Sequence, residues 1–348
     1  MIERLRVTGQ TSQPQEQLPR ELLRPAARVG PATYYGFPAL KRPGWGREVV
    51  LYFYLGGLAA GSYLLATLSD LFGAEGDRAV GRTGRYLALI TTILCPLLLI
   101  ADLGRPERFA NMLRIIKTRS PMNMGTWGLI GFGISVGLAA LRQAVADGYI
   151  RSESLLARIL GWVPFRASGV LGSLFAFFVS GYTGTLLSFT NVPLWARNYL
   201  FLAPTFITSA LSSGIAAVSL LLTLQGGAHW RPLAWMNRTG NAVAIGEAAL
   251  TASSLAMLGL LARPLLRPRH GLPFWLGAVG LGQVAPLLLR NRARLGPKVT
   301  RKRYAIAADL SVLAGGLLFR WVTLEAGKSS SDDARAYFTF ARGRRWGQ

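Results

Sequence analysis

The chain has 348 residues, 51% of them hydrophobic and 16% charged, with a formal net charge of +23. That balance excludes an ordinary soluble domain and fits a polytopic membrane protein. The positive excess is mostly arginine set between apolar runs, so anionic headgroups and loop topology account for it better than nucleic acid does.

Residues 1–48 are polar and rich in Arg, Gln and Pro, with no apolar core of signal-peptide length. They read as a tail ending in an interfacial lead-in, Thr33 to Trp45, because Tyr and Trp favour the headgroup zone. A membrane span needs roughly 20 apolar residues. Eight runs qualify, at about 49–71, 84–102, 124–144, 167–190, 201–224, 241–262, 271–289 and 304–324. In lipid every backbone polar group must be satisfied within its segment, so all eight are expected as helices. Arg78, Arg82 and Arg85 are expected at the loop after span one. The loops after spans one, three, five and seven carry more Lys and Arg than the others, which leans both termini away from the cytoplasm. The basic N-terminal tail pulls the other way.

The connector between spans two and three is charged and punctuated by prolines, Asp102-Leu103-Gly104-Arg105-Pro106-Glu107-Arg108 through Arg119-Ser120-Pro121-Met122. Asp102 falls where span two ends, a costly depth for a carboxylate without a partner or a task. Arg105 and Arg108 are near enough in sequence to pair with it. Small residues mark close helix packing at Gly57 and Gly61 in span one and at Gly133 and Gly137 in span three. The run Gly56 to Ser62 is small enough that it also leaves room for a flat ligand.

The available chemistry is narrow. The two histidines, His229 and His270, sit at loop edges on opposite faces and do not make a bis-His haem site. Cys95 alone holds neither an iron–sulfur cluster nor, with those histidines, a zinc ion. No phosphate-binding loop or nucleophile elbow is present. The expectation is a protein with no haem and no metal of its own.

In an alternating bundle, starts of odd spans and ends of even spans share a face. That face collects Tyr52, Tyr54, Asp102, Ser120, Asn123, Trp127, Tyr182 and Asn191. A carboxylate, phenols, an amide and an indole around small residues suit a quinone headgroup, whose carbonyls need donors and whose reduction takes up protons. Each residue alone suits interfacial anchoring equally well. The second half carries Glu247, Gln283 and Asp309 toward the opposite face, with Arg320 near the far end of span eight. Intramembrane acids are proton-path candidates by default, although Asp309 has Arg301 and Arg303 within reach as surface partners.

Four stretches resemble the NrfD/PsrC family, the membrane subunits of polysulfide-reductase-type complexes. They are Tyr54-Leu55-Gly56-Gly57-Leu58-Ala59-Ala60-Gly61-Ser62, Asp102 to Phe109, Arg119-Ser120-Pro121-Met122 with Gly125-Thr126-Trp127, and Tyr182-Thr183-Gly184 with Thr190-Asn191-Val192-Pro193-Leu194-Trp195. Ala210-Leu211-Ser212-Ser213-Gly214 agrees as well. The resemblance implies an all-α integral membrane fold of two four-helix bundles, at 49–195 and 196–326, flanked by tails at 1–48 and 327–348. It also implies a site for menaquinone or ubiquinone in the first bundle, with Asp102 and Tyr182 leading. Tyr52, Gly57, Gly61, Arg105, Ser120, Trp127 and Asn191 are the further candidates around it. Some members carry a His where this protein has Tyr52. An iron–sulfur partner subunit is implied over the site, a molybdopterin catalytic subunit beyond it, and a multi-pass position in a bacterial or archaeal cytoplasmic membrane. A transporter or proton channel and a passive anchor remain the alternatives.

Overall fold

The computed structural model describes residues 33–34, 37–38, 40–226, 230–295, 297–333, 336–338 and 340–341. Among the described residues eight helices are long and apolar enough to cross a membrane: Arg47–Phe72, Arg78–Asp102, Pro121–Ala146, Arg166–Ser188, Leu202–Gln225, Leu233–Leu266, Arg269–Leu295 and Thr300–Ser331. A two-residue antiparallel pair, Thr33–Tyr34 with Phe37–Pro38, precedes the first. His229 lies outside the described residues.

The first span is the central post. In its apolar core 83% of residues are buried, against 22% in spans three and six, so lipid contact falls to the outer helices. Spans two, four, five and eight all pack against span one, and span five also touches four, six and eight. The first four spans and the last four therefore meet mainly along spans one and five, with span eight also against span one. Its closeness comes from glycine: a Cβ on Gly61 would strike the Ala210 backbone, and one on Gly214 would strike the backbone of Gly61. Gly57 leaves room for Ala210 and the Arg320 guanidinium. The space that the run Gly56 to Ser62 opens is thus taken up by span five and Arg320. Gly133 and Gly137, expected to pack closely, do not: a Cβ on Gly137 would meet nothing within 4 Å, and one on Gly133 only Thr92 Cγ2 at 3.9 Å.

Several helices run longer than their apolar cores. Span two starts at Arg78, so Arg78, Arg82 and Arg85 are helical and not in a loop. A polar cluster buries Arg85 and pairs the exposed Arg82, while Arg78 stays exposed at the helix start. Arg85 pairs with Asp70 of span one and donates to Gln143 Oε1 of span three at 3.0 and 2.6 Å. Asp147 accepts from Arg82, Tyr86 and Gln143, each at 2.8 Å. Span six begins well before its expected start and turns tightly at Gly259–Ala262, where Gly259 takes φ 51°, a conformation glycine adopts freely. Span seven is π-helical over Pro273–Val284, a rare geometry that recurs at functional sites. Short helices at Phe109–Arg114, Leu155–Trp162 and Pro193–Arg197 fill the connectors.

Candidate functional site

A cavity of about 370 Å³ lies between spans one to four, beneath the connector that follows span two. Tyr52, Asp102 and Tyr182 border it together, although they come from three different spans. The rest of its wall is almost entirely apolar, including Leu99, Phe109, Met112, Met122, Leu129 and Leu186. Pockets of this size and character are typical of small-molecule sites.

Asp102 is the last residue of span two and is half-buried. Its Oδ1 accepts the backbone N–H of Gly46 at 3.2 Å, which ties the start of span one to the end of span two. Among the described residues it forms no ion pair with Arg105 or Arg108. Both arginines are exposed on the connector. Tyr182 is fixed from two sides. Its hydroxyl donates to the Pro121 carbonyl at 2.7 Å, and its ring stacks on Phe178 with centroids 5.5 Å apart. A Cβ on Gly125 would overlap the Tyr182 ring, and one on Gly128 would overlap Phe178. The glycines of span three thus admit the aromatics of span four.

The other candidates lie elsewhere. Gly57 and Gly61 face span five. Arg105 is exposed, and Ser120 stands just before span three without a side-chain cap bond. Asn191 is exposed after span four, and Trp127 is half-buried beside the cavity wall but does not border it. Trp195 is fully buried, donates to the Thr323 carbonyl at 2.9 Å and stacks on Trp45, with centroids 5.6 Å apart. The stretch around Asn191 thus fastens span eight to the connector after span four.

Asn123 holds the connector over the cavity. Its amide accepts from Lys117 N at 2.6 Å and donates to the carbonyls of Met112 at 3.1 Å and Ile115 at 3.0 Å. Arg105, Arg108, Arg114, Lys117 and Arg119 all project from that segment into solvent.

The second-half candidates are buried in two polar groups. Arg320 is 1% exposed and donates to the Phe53 carbonyl at 3.0 Å, Ser209 Oγ at 3.0 Å and the Gly316 carbonyl at 2.9 Å. It lies against the rings of Tyr54 and Phe206. Glu247 is buried, with Ser209, Ser212, Gln283 and Arg320 around it, and among the described residues it forms no ion pair. Because span six starts at Leu233, Glu247 sits near mid-helix and not close to an end. Gln283 donates to Thr251 Oγ1 at 3.0 Å. Asp309 pairs with Arg290 at 3.3 Å, both buried, in place of the surface pairing with Arg301 or Arg303. Arg290 also donates to Asn241 at 3.2 Å. Glu325, near Arg320 in sequence, instead pairs with Lys328 at 2.7 Å.

Eight spans, an apolar cavity bordered by a carboxylate and two phenols, and a fastened basic connector above it describe a multi-pass membrane protein with one candidate small-molecule site there. Residues 40–330 match the family described as polysulphide reductase, NrfD, and the protein belongs to that family. It is similar to a subunit of the selenate reductase of Mesobacillus selenatarsenatis, 26% identical over 322 residues that make up 80% of this sequence and 72% of the relative. It is also similar to protein NrfD of Escherichia coli, 26% identical over 82% of this sequence and 95% of the relative. One of the polysulfide reductase chains of Wolinella succinogenes gives 26% identity over 82% of this sequence and 94% of the relative.

Proposed function

We propose that this protein is the quinone-binding, electron-transferring membrane subunit of a multi-subunit oxidoreductase in a prokaryotic cytoplasmic membrane. It exchanges electrons with an iron–sulfur subunit docked over the connector 103–120, and a catalytic subunit, of molybdopterin type in the implied complex, lies beyond that. The observation that carries this reading is the apolar cavity bordered by Tyr52, Asp102 and Tyr182 directly beneath the exposed basic connector. The names of its relatives, as parts of selenate and polysulfide reductases, support it.

The wall fits a quinone: apolar surface for a ring and prenyl tail, with one acid and two phenols on its border. A bound quinone supplies two-electron, two-proton redox chemistry. The protein's own residues supply position and protons. Tyr182, pinned by Pro121 and Phe178, is in place before a ligand arrives, which lowers the ordering cost of binding. Asp102 stands between the cavity and the membrane face, where a carboxylate can take a proton from one side and give it to the other. Substituting Asp102→Asn keeps the fold and the Gly46 contact while removing a proton carrier. The expected result is normal assembly with quinol-linked turnover lowered about tenfold or more. Wild-type turnover in that variant removes Asp102 from the mechanism.

The buried groups Arg320, Glu247 and Gln283, and separately Arg290 with Asp309, favour a second reading, a proton line through the second half. In that reading Glu247→Gln abolishes proton uptake into proteoliposomes during turnover, while electron transfer to the partner persists. Unchanged uptake makes the line purely structural.

A further inference from the structure

A second hollow, of about 760 Å³, lies at the other end of span two from Asp102. It runs along one face of that helix, where Arg78, Arg82 and Tyr86 follow at one-turn steps. Its remaining wall comes from Asp147 and Tyr149, at and just beyond the end of span three, and from Leu221 and Gln225 of span five. The start of span two and the ends of spans three and five share one membrane face, so the groove opens on the face opposite the connector 103–120.

Its walls change character with depth. On span two Arg78, Arg82 and Thr83 come first and Leu87 and Ile90 follow. At 1.5 Å per residue Ile90 lies about 18 Å inward of Arg78. On span five Gln225 is the last residue, and Leu221 lies one turn further in. Arg78, Arg82, Tyr149 and Gln225 are exposed at the outer end, and Ile90 and Leu221 are exposed deeper in, so the groove is open along its length. Two arginines against one carboxylate leave the wall net positive. That carboxylate, Asp147, is already held by Arg82, Tyr86 and Gln143. The connector beyond Tyr149 carries the short helix Leu155–Trp162, whose Leu155, Ile159 and Trp162 are exposed alongside Arg158. Exposed aliphatic and indole side chains beside a cation suit a helix lying among lipid headgroups.

We propose that this groove binds one anionic phospholipid, its phosphate at Arg78 and Arg82 and an acyl chain along Leu87, Ile90 and Leu221. Basic pockets between transmembrane helices take such headgroups. The order of the walls, cationic then apolar, matches the order of parts in the lipid. A soluble partner reaches only the polar end, whereas a lipid fills both. The bound lipid touches spans two, three and five at once and stabilises the folded state by mass action. The proposal is independent of the quinone reading.

The probe is dioleoyl phosphatidylglycerol, titrated into the full-length protein in detergent and read by native mass spectrometry, with dioleoyl phosphatidylcholine as the neutral control. Wild type should hold one phosphatidylglycerol about fivefold or more tighter than phosphatidylcholine and unfold at higher temperature with it. Arg78→Gln should weaken that binding about fivefold, and Arg78→Lys, which keeps the charge, should stay within about twofold of wild type. Ile90→Asn, at an exposed position, should weaken it through the chain contact. Arg158→Gln, on the same face but outside the groove, should leave it unchanged. Equal loss in Arg158→Gln and Arg78→Gln would show diffuse attraction and overturn the proposal. So would equal loss in Arg78→Lys and Arg78→Gln, which makes Arg78 structural. Equal binding of the two lipids removes the role of charge and overturns it as well, and a dimer that excludes the lipid assigns the groove to a second copy instead.

Discussion

At the scale of single residues, the decisive groups are buried polar atoms whose cost a partner offsets. Arg290 and Asp309 are 3% and 1% exposed and meet at 3.3 Å. Removing one member of a buried pair costs about 3–5 kcal/mol, whereas exchanging both for apolar side chains is often near neutral. Asp309→Leu is therefore expected to lower stability by about 3–5 kcal/mol, and Arg290→Met with Asp309→Leu to recover most of it, in denaturant unfolding of the detergent-solubilised protein. Asp147 sets a pH dependence just outside the membrane. Partial desolvation acts to raise it, but hydrogen bonds from Tyr86, Gln143 and Arg82, with the Arg82 charge, hold the carboxyl below its usual range. A depressed carboxylate contributes stability that is complete above its unfolded value of about 4 and is lost as pH falls through the folded one. A melting series through the acid range should show that loss in wild type and not in Asp147→Asn. Asp102 and Tyr182 can be picked out from residue order because both sit at span ends inside recognisable motifs.

At the scale of elements, span three and the connector ahead of it shape the cavity. Gly125 and Gly128 accept the rings of Tyr182 and Phe178, so the position of the phenol is written in the neighbouring helix. Gly125→Val must displace that ring. Overpacking of this kind costs about 1–3 kcal/mol. It should also break the hydroxyl bond to Pro121 and impair quinone-linked turnover well beyond the effect of Tyr182→Phe alone. Equal activity of Gly125→Val and wild type would show that the placement of Tyr182 is immaterial. The eight spans are readable from hydropathy, since lipid leaves helices as the only open solution. Their ends are less so. Span two takes in Arg78, Arg82 and Arg85 because Asp70, Gln143 and Asp147 from outside that helix receive Arg82 and Arg85, pairings that no local pattern reveals. The glycines are ambiguous in sequence for a related reason. Composition marks a small residue but not what fills its space: span five at Gly61, Arg320 at Gly57, the cavity at Gly133.

At the scale of the whole molecule, spans one and five join the halves, and the cavity opens beneath a basic surface held in place by Asn123. Charge at the rim of an interface changes association rate and salt dependence more than final affinity. Reversing Arg114 and Lys117 to Glu should slow capture of the proposed iron–sulfur partner at low salt and release it from membranes, with the protein still inserted. Unchanged capture at low and high salt would make the connector a lipid anchor only. The most direct measurement of the central claim is photolabelling of the membrane-embedded protein with an azido-quinone, followed by mapping of the labelled peptides. The expected adducts lie within residues 89–126, the end of span two, the connector and the start of span three, compete away with unlabelled quinone and diminish in Asp102→Asn. Competable label confined to spans six to eight, or label that excess quinone does not displace, would contradict the account.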